Sequence, residues 1–347
     1  MRAPWQLNYG RAAPVHLASS VLYRLAVQDH APPTFVVIGE ALIDLATPAE
    51  DGSAIARPGG SPMNVAVGLA RLGERTAFAG RLSRDPFGTI LRRHLERSAV
   101  GLQHVVAAAE PSTIALVELA AGHATYQFSL GADFNWSAGE LAFLPGGARA
   151  VHFGSLASWL PPGDAAIAEA VSRLRRDESA LISYDPNVRP TLQPDHVSAR
   201  HQIEQSIGLS HVVRASLDDV RWLYGQNADA DAVARRWLAL GAGLVVVTMG
   251  ADGATGWAQG QLPVSRPAFQ ADVMDTVGAG DAFTSGLLDA LARRDLLAPD
   301  RLVALCDAAL VADVIDDASR IAGITCSRPG ANPPSRAEAD SWVRGGS

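Results

Sequence analysis

The sequence contains no lysine, and all 29 of its basic residues are arginine. This absence excludes mechanisms that depend on a lysine, which include the Walker A phosphate-binding loop, the nucleotide-binding lysine of protein kinases and Schiff-base catalysis. If the protein binds a nucleotide, backbone amides and arginine must take over the work that lysine does elsewhere.

Cysteine is also scarce, since Cys306 and Cys326 are the only two. They form no CxxC pair, and the nine histidines include no HExxH pattern, so neither a disulfide framework nor a zinc site is expected. So few cysteines are typical of a reducing compartment. We therefore expect a cytoplasmic protein in which both thiols are inert residues of the core.

Long apolar runs and basic patches are absent as well. No apolar stretch reaches the ~18 residues that are needed to span a bilayer, so no membrane partner is expected. The net charge is -7, and the sequence lacks the basic stripe that a nucleic-acid partner would require. These features leave small molecules as the expected partners.

The 347 residues suit one main domain with short extensions. Residues 1–33 carry arginine but no acidic residue before Asp29, and they end in Ala-Pro-Pro. We expect a poorly ordered extension there, with an organelle transit peptide as the alternative. The main domain is expected over residues 34–334, and a C-terminal tail over residues 335–347.

Short β-branched runs alternate with helical patterns along the main domain. This alternation predicts an α/β fold with a mostly parallel sheet that is covered by helices on both faces. Ser61 and Pro62 predict the start of a helix, with Ser61 as its N-cap, and Gly73 ends it. Residues 113–119 and 125–130 predict a hairpin. Further strands are predicted at 35–38, 150–153, 181–184, 211–213 and 244–248, and further helices near 86–98, 163–176, 196–207, 217–224 and 229–240.

The stretch 275–283 reads DTVGAGDAF and lies between a polar turn and a predicted helix. The small residues Gly278, Ala279 and Gly280 leave backbone N–H groups uncovered at the positive end of a helix dipole, where phosphate oxygens bind. Asp281 follows directly, and beside a phosphate it can accept the proton of an attacking hydroxyl. The alternative is a glycine-rich turn with an aspartate that matches the helix dipole.

This stretch resembles the C-terminal signature of the PfkB, or ribokinase-like, carbohydrate kinases, D-T-x-G-A-G-D-x-F. Residues 59–73, which read GGSPMNVAVGLARLG, are similar to the N-terminal signature of that family. The two patterns are long, stand in the right order and lie roughly 200 residues apart, so the similarity is specific. It covers about residues 34–334. It implies a three-layer α/β/α domain with a mostly parallel central sheet and a small β-sheet lid, formed by about 45–60 and 113–134.

The resemblance implies a sugar pocket between a strand end and a helix start. Asp44 falls where the family binds sugar hydroxyls with a carboxylate, and Gly59, Gly60 and Asn64 fall on the other wall. A carboxylate and an amide suit vicinal hydroxyls because both make directional hydrogen bonds. The alternative for Asp44 is a turn residue ahead of the lid.

Arg189 belongs to the segment 185–190, DPNVRP, which follows a predicted strand end. The segment is similar to the D-P-N-x-R-P of the fructokinase and 2-keto-3-deoxygluconate kinase branches of the family. Arg189 would then steady the transferring phosphate or a substrate oxygen. The alternative is a local ion pair between Arg189 and Asp185.

The family's nucleotide site falls on Thr248, Gly250 and Gly253 in the segment TMGADG, together with Ser216 and Gly280. The glycines let the backbone approach ATP, and Thr248 can bond a phosphate. Without the other motifs this segment would be equally typical of a hairpin turn.

The resemblance also implies metal ions. Mg²⁺ would accompany ATP and be organised through water by Asp219; Ser216 and Asp219 stand where the family usually has Asn-x-x-Glu, and their oxygens can still order water around the ion. A monovalent cation such as K⁺ would be held by oxygens of Asp275, Val277, Thr325, Arg328 and Gly330.

The implied activity is that of an ATP-dependent sugar kinase. Asp281 would take the proton of a primary hydroxyl as it attacks the γ-phosphate of MgATP, while the amides of residues 277–280 hold the developing charge. Fructose is the expected sugar, and 2-keto-3-deoxygluconate is the runner-up, ahead of ribose and nucleosides. A non-catalytic sensor of nucleotide or sugar is the alternative of a different class. The apolar residues Ile114, Leu116, Tyr126 and Phe128 are compatible with a homodimer through the lid.

Overall fold

The computed structural model describes residues 32–46, 55–120, 123–193 and 195–345. All of these except Pro32 belong to one compact unit, Pro33–Ser347. The expectation of a poorly ordered extension over residues 1–33 therefore falls almost wholly outside the described residues. Residues 47–54 and 121–122 of the expected lid also lie outside the described residues.

Within these ranges strands and helices alternate, as the sequence predicts. The strands are β1 (Phe35–Ile38), β2 (Leu42–Ala46), β3 (Ile55–Gly59), β4 (Thr76–Ala79), β5 (Arg81–Ser83), β6 (Val106–Ala108), β7 (Ile114–Ala120), β8 (His123–Ser129), β9 (Ala150–Gly154), β10 (Leu181–Asp185), β11 (Val212–Ser216), β12 (Leu244–Thr248), β13 (Ala254–Ala258) and β14 (Val264–Arg266). The α-helices are α1 (Ser61–Arg71), α2 (Pro86–Arg97), α3 (Asp164–Asp177), α4 (His196–Gly208), α5 (Leu217–Tyr224), α6 (Ala230–Leu240), α7 (Ala279–Arg293), α8 (Ala308–Cys326) and α9 (Arg336–Gly345).

The main sheet has eight strands in the order β14-β13-β12-β11-β10-β9-β1-β4. The strands from β12 to β4 are parallel, and β13 and β14 add an antiparallel edge. Because the chain moves from β1 outward to β4 and then returns to β9, the strand order reverses beside β1. In open parallel sheets, ligands bind outside the carboxyl ends of the strands near such a reversal.

Both faces of the main sheet are buried, which explains why its strands are runs of apolar residues. Alternate residues of β1 point to opposite sides, so Val36 and Ile38 join one core cluster while Phe35 and Val37 join the other. Helices α3, α4, α5 and α6 cover the first side, and α1, α2, α7 and α8 cover the second. The predicted three-layer α/β/α architecture is confirmed.

A separate four-stranded sheet has the order β3-β2-β7-β8. β2 pairs with β3 antiparallel and with β7 parallel, and β7 and β8 form the predicted hairpin. This is the small sheet that the resemblance implies. It joins the main sheet through the short connection between β1 and β2, which brings Asp44 of β2 over the carboxyl edge.

Two local expectations differ from the structure. Ser61 is the first residue of α1 rather than its N-cap; Gly60 takes the N-cap position with φ of 106°, and the Ser61 hydroxyl donates to Asp281. Residues 336–345, expected in the C-terminal tail, form α9, where Ala339 is fully buried against α1 and α8. The packed unit therefore continues past the expected boundary at Pro334.

Candidate active site

Two adjoining cavities open along the carboxyl edge of the main sheet. The large cavity, of about 600 Å³, has mainly apolar walls between the end of β12 and α8. The polar cavity, of about 440 Å³, reaches the small sheet at Leu42 and Ala115. Residues that line both are Arg214, Ser216, Asp218, Thr276, Ala279 and Gly280.

Asp281 lies in the first turn of α7 and lines the polar cavity. The Ser61 hydroxyl donates to its Oδ1 at 2.7 Å, and the Asn64 amide donates to its Oδ2 at 2.8 Å. Burial raises the pKa of Asp281, and the two hydrogen bonds oppose this rise. A held carboxylate whose pKa is raised is a better proton acceptor than an ordinary surface aspartate.

The loop before α7 presents backbone N–H groups. Gly278, the N-cap, has φ of 76°, and a Cβ on it would lie 2.5 Å from Cβ of Ala331. Within the loop, the amides of Val277 and Ala279 donate to Asp275 and Thr276. The amides of Gly278, Gly280 and Asp281 have no partner within the described part of the chain. The N–H groups that are free to bind an anion are therefore those of Gly278, Gly280 and Asp281, and not all of the expected residues 277–280.

Arg214 was not anticipated from the sequence. It projects from β11, is almost fully buried, and its Nη1 donates to Oδ2 of Asp185 at 3.0 Å. Its Nη2 donates to the Thr248 hydroxyl. Burial opposes the charge of this guanidinium, but the Asp185 carboxylate prevails and the pKa of Arg214 stays above its ordinary value.

Asp185 therefore pairs with Arg214, and the expected alternative of an Asp185–Arg189 pair is wrong. The parallel register of β10 and β11 matches Tyr184 with Val213, which brings the two following residues side by side. Arg189 is held instead by Asn187, whose Oδ1 accepts from its Nη1 at 2.7 Å. Arg189 lines the polar cavity, where its charge lowers the pKa of neighbouring carboxyl groups.

The polar cavity contains Asp44, and the side chain of Asp44 lies over Gly59. A Cβ on Gly59 would come within 2.1 Å of Asp44 Oδ2, so only glycine leaves room for this carboxylate. Burial raises the pKa of Asp44 to about 6; the charge of Arg189 lowers it, and that of Asp281 adds to the rise. The structure thus gathers the predicted sugar-pocket residues Asp44, Gly60, Asn64 and Arg189 around one space, with Gly59 beneath Asp44.

Glu40 also lines the polar cavity, and its carboxyl group was not anticipated from the sequence. It follows β1, is 1% exposed, and accepts a hydrogen bond from the Ala157 amide. Burial raises its pKa. Its position directly after a buried strand, at the edge where ligands collect, is the signal that could have identified it.

The predicted nucleotide residues lie in or beside the large cavity. Thr248 ends β12 and Gly250 and Gly253 follow it; both glycines have positive φ, at 58° and 93°. Thr248 is already an acceptor for Arg214. Apolar side chains such as Phe269 form the opposite wall, which suits a flat aromatic ring.

Among the described residues, no cluster of three or more His, Cys, Asp or Glu side chains could hold a metal. Asp219 is buried and accepts from the Val188 amide and from both the amide and hydroxyl of Ser216, so it completes a capping box with Ser216, the N-cap of α5. Asp275 links the loop before α7 to the Gly330 amide. Thr325 and Arg328 line neither cavity; the Thr325 hydroxyl donates to Ile321, and Arg328 pairs with Glu338.

Both cysteines are free, as expected, but neither is a core residue. Cys306 is exposed because it ends a surface 3₁₀ segment, Pro299–Cys306, and Cys326 is half-buried at the wall of the large cavity. Over the described part of the chain, no helix has the length and apolar character to cross a membrane.

The carboxyl edge of the parallel sheet holds an apolar cavity and a polar cavity, and a carboxylate lies beside free amides at a helix start. This arrangement is typical of ribokinase-like phosphotransferases. The chain belongs to the pfkB family of carbohydrate kinases. The model of this family, described as pfkB family carbohydrate kinase, matches residues 33–338. The prediction made from the two signatures is confirmed.

The chain is similar to known fructokinases in both sequence and structure. A fructokinase of Rhizobium leguminosarum bv. trifolii is 38% identical over 278 residues, which cover 78% of this chain and 84% of the relative. The crystal structure of a fructokinase with bound ATP from Xylella fastidiosa matches with a TM-score of 0.82 at 26% identity, covering 89% of this chain and 98% of that one. A fructokinase double mutant from Vibrio cholerae O395, with fructose, ADP and potassium bound, matches with a TM-score of 0.77 at 25% identity, covering 90% and 100%.

Proposed function

We propose that this protein is an ATP-dependent fructokinase, which transfers the γ-phosphate of MgATP to a primary hydroxyl of fructose. The observation that carries the proposal is the position of Asp281, which lines the polar cavity beside the wall that this cavity shares with the large one. The fructokinases of similar sequence and structure support fructose as the sugar.

The large cavity suits ATP. Its apolar wall around Phe269 accepts the adenine ring, and the exposed backbone at Gly250 allows close approach, while the buried Gly253 closes the turn against Arg266. The phosphates then point along the shared wall toward the amides of Gly278 and Gly280, at the positive end of α7. This arrangement supplies without lysine what a lysine supplies in other nucleotide sites.

The charge of the polar cavity favours a neutral sugar over an acidic one. Its lining holds five carboxyl groups and only two guanidinium groups, those of Arg189 and Arg214. An acid such as 2-keto-3-deoxygluconate would meet net repulsion there, whereas the hydroxyls of fructose can donate to Asp44 and accept from Arg189. We therefore place fructose ahead of the acidic alternative.

The reaction follows from the position of Asp281. A primary hydroxyl of the sugar gives its proton to the carboxylate as its oxygen attacks the γ-phosphorus, and the bond from that phosphorus to the bridging oxygen of ADP breaks. The amides of Gly278 and Gly280 stabilise charge on the equatorial oxygens. The proton leaves Asp281 for solvent, and ADP and the sugar phosphate depart.

Mg²⁺ fits this site as an ion brought by ATP rather than one held by a protein cage, since both oxygens of Asp219 already accept hydrogen bonds. Asp218 lines both cavities and its side chain is 93% exposed, so it can hold the ion through water, with Asp219 behind it. The ion would neutralise charge on the transferring phosphate.

A monovalent cation fits the loop that Asp275 joins to Gly330. The hydrogen bond from the Gly330 amide, at 2.8 Å, draws together the segments that contain Val277 and Arg328. Both oxygens of Asp275 already accept from the Val277 and Gly330 amides, so backbone carbonyls of the two segments would supply most of the oxygen ligands of K⁺. An ion there would steady the loop that precedes the catalytic helix.

The small sheet would act as a lid that excludes water from the polar cavity and prevents waste of ATP. Its exposed Ile55 and half-buried Leu116 also support a homodimer through this sheet. The free state of both cysteines supports a cytoplasmic location.

A substrate panel tests the proposal. ATP consumption is measured with fructose, ribose, 2-keto-3-deoxygluconate and adenosine, and the phosphorylated position is assigned by ³¹P NMR. We expect the highest kcat/KM with fructose. A higher kcat/KM with another acceptor would replace fructose, and tight ATP binding without turnover on any acceptor would favour the sensor.

A further inference from the structure

Arg214 has more hydrogen-bonding capacity than its protein partners use. A guanidinium carries five N–H donors, and the contacts to Asp185 and Thr248 occupy one each on Nη1 and Nη2. The buried Nε–H has no partner within the described residues. Buried donors are rarely left unpaired, so we expect Arg214 to bind a further acceptor.

The position of Arg214 identifies where that acceptor would lie. A Cβ on Gly280 would be 2.7 Å from Nη1 and 3.2 Å from Cζ, so the guanidinium lies directly against the first turn of α7. Arg214 is also the only cation, among the residues that the structure describes, that lines both cavities. Arg189 reaches only the polar cavity, and Arg221 only the large one.

Neutralising Asp185 is not a sufficient role for this arginine. The Asp185 carboxylate also accepts from the Asn187 amide at 3.1 Å and from the Thr284 hydroxyl at 3.2 Å. A neutral asparagine in place of Asp185 would keep one acceptor oxygen, for either the Asn187 amide or the Thr284 hydroxyl, and buried ion pairs are often no more stable than neutral replacements. The pair instead holds a fixed positive charge at the wall between the cavities.

We propose that Arg214 is a further catalytic residue, whose guanidinium contacts the γ-phosphate of ATP as it passes between the cavities. Asp185 and Thr248 are positioning residues, which hold the planar guanidinium against Gly280. In a chain without lysine, this arginine supplies the full positive charge that helix-start amides cannot supply alone. The inference rests on the proposed phosphoryl transfer but not on fructose as the sugar.

Nucleotide binding without sugar tests the contact and is independent of the sugar's identity. Affinities for ATP and ADP are measured by calorimetry for the wild type and for Arg214→Gln. We expect ATP binding to weaken about tenfold or more relative to ADP binding, since only ATP carries the γ-phosphate. Equal weakening of both nucleotides would overturn the contact, whereas a wild type that binds no ATP would instead refute the proposed function.

Steady-state kinetics test the catalytic role on whichever sugar the wild type phosphorylates. We expect Arg214→Gln to lower kcat by about 10²–10³-fold with little change in the sugar KM, and Arg214→Lys to recover at least about tenfold of that loss. The control is Arg336→Gln, which also removes an arginine from an aspartate whose side chain is 2% exposed, Asp289; neither residue lines either cavity, and Asp289 keeps its pair with Arg293. It should keep the wild-type kcat.

The double variant Asp185→Asn/Arg214→Gln separates catalysis from folding. Because it removes both buried charges, we expect its melting temperature to recover while its kcat remains low. A double variant with wild-type kcat would overturn the proposal, because Arg214 would then serve only to pair Asp185. A kcat of Arg214→Gln within about threefold of the wild type would overturn it as well.

Discussion

The Asn64 amide donates a hydrogen bond of 2.8 Å to Oδ2 of Asp281, a residue 217 positions further along the chain. With the bond from Ser61 to Oδ1, it joins the first turn of α1 to the first turn of α7. The two family signatures of the sequence thus meet at a single carboxylate. The contact fixes the Asp281 carboxylate, which we propose as the general base, before any substrate arrives.

The pH dependence of turnover reports on this contact. Burial raises the pKa of Asp281, and the hydrogen bonds from Ser61 and Asn64 oppose the rise. The base works only when ionised, so kcat is lost as the pH falls through that pKa. Ser61→Ala removes one opposing bond and should move the acidic limb of the kcat profile to higher pH.

The plateau of kcat at high pH should survive in Ser61→Ala, because the base is fully ionised there. The profile is measured at saturating ATP and sugar, with Asp185 and Arg189 unchanged as the nearest charges that act on Asp281. A limb that moves to lower pH would contradict this account of the base.

We expect Asp44 to control sugar binding. Asp44→Ala should raise the sugar KM about ten- to hundredfold, since a hydrogen bond to a charged group contributes about 1.5–3 kcal/mol. The KM for ATP should stay within about threefold, because Asp44 lines only the polar cavity. An equal change in both KM values would point to a general distortion instead.

The charge of Asp44 adds a pH effect. Its pKa of about 6, raised by burial, means that the carboxylate becomes neutral below this value and loses strength as an acceptor. The wild-type sugar KM should therefore rise as the pH falls from 7 to 5. In Asp44→Asn, the KM should be high throughout and should not depend on pH in this range.

The positions of the free amides in the loop before α7 depend on the backbone conformation of Gly278. Gly278→Ala would place a Cβ 2.5 Å from Cβ of Ala331 in a left-handed backbone, and should lower kcat about 10²-fold or more as the amides move. Gly73→Ala is the matched control. Gly73 also has positive φ, at 89°, but a Cβ there meets nothing within 4 Å.

Both glycine variants should lose about 1–2 kcal/mol of unfolding free energy from backbone strain, measured by urea denaturation. Only Gly278→Ala should also lose turnover. If Gly73→Ala lost turnover to the same extent, general strain rather than the loop would explain the effect.

The sequence predicted the fold and indicated Asp281, the proposed general base, because both inferences depend on local patterns. Alternating strands and helices define the three layers, and GAGD at a helix start defines an anion site with an adjacent carboxylate. Ser61 was misassigned as a cap because a serine before a proline is the usual sign of one. Its hydroxyl instead serves a residue that only the packing of α1 on α7 brings near.

The partner of Asp185 shows what local reasoning cannot supply. Arg189 lies four residues away in the sequence, whereas Arg214 lies on the neighbouring strand, and the register between β10 and β11 decides between them. Register depends on the packing of the whole sheet. For the same reason the sequence could not show that the arginine of VVRAS faces a site and not a core.

The most direct test of the account is the turnover of Asp281→Asn, whose amide keeps the size of the side chain but cannot take a proton at neutral pH. With folding verified by circular dichroism and ATP binding by calorimetry, kcat should fall about 10²–10⁴-fold while ATP affinity is retained. A kcat within about tenfold of the wild type would show that this carboxylate does not accept the sugar proton, and would contradict the mechanism.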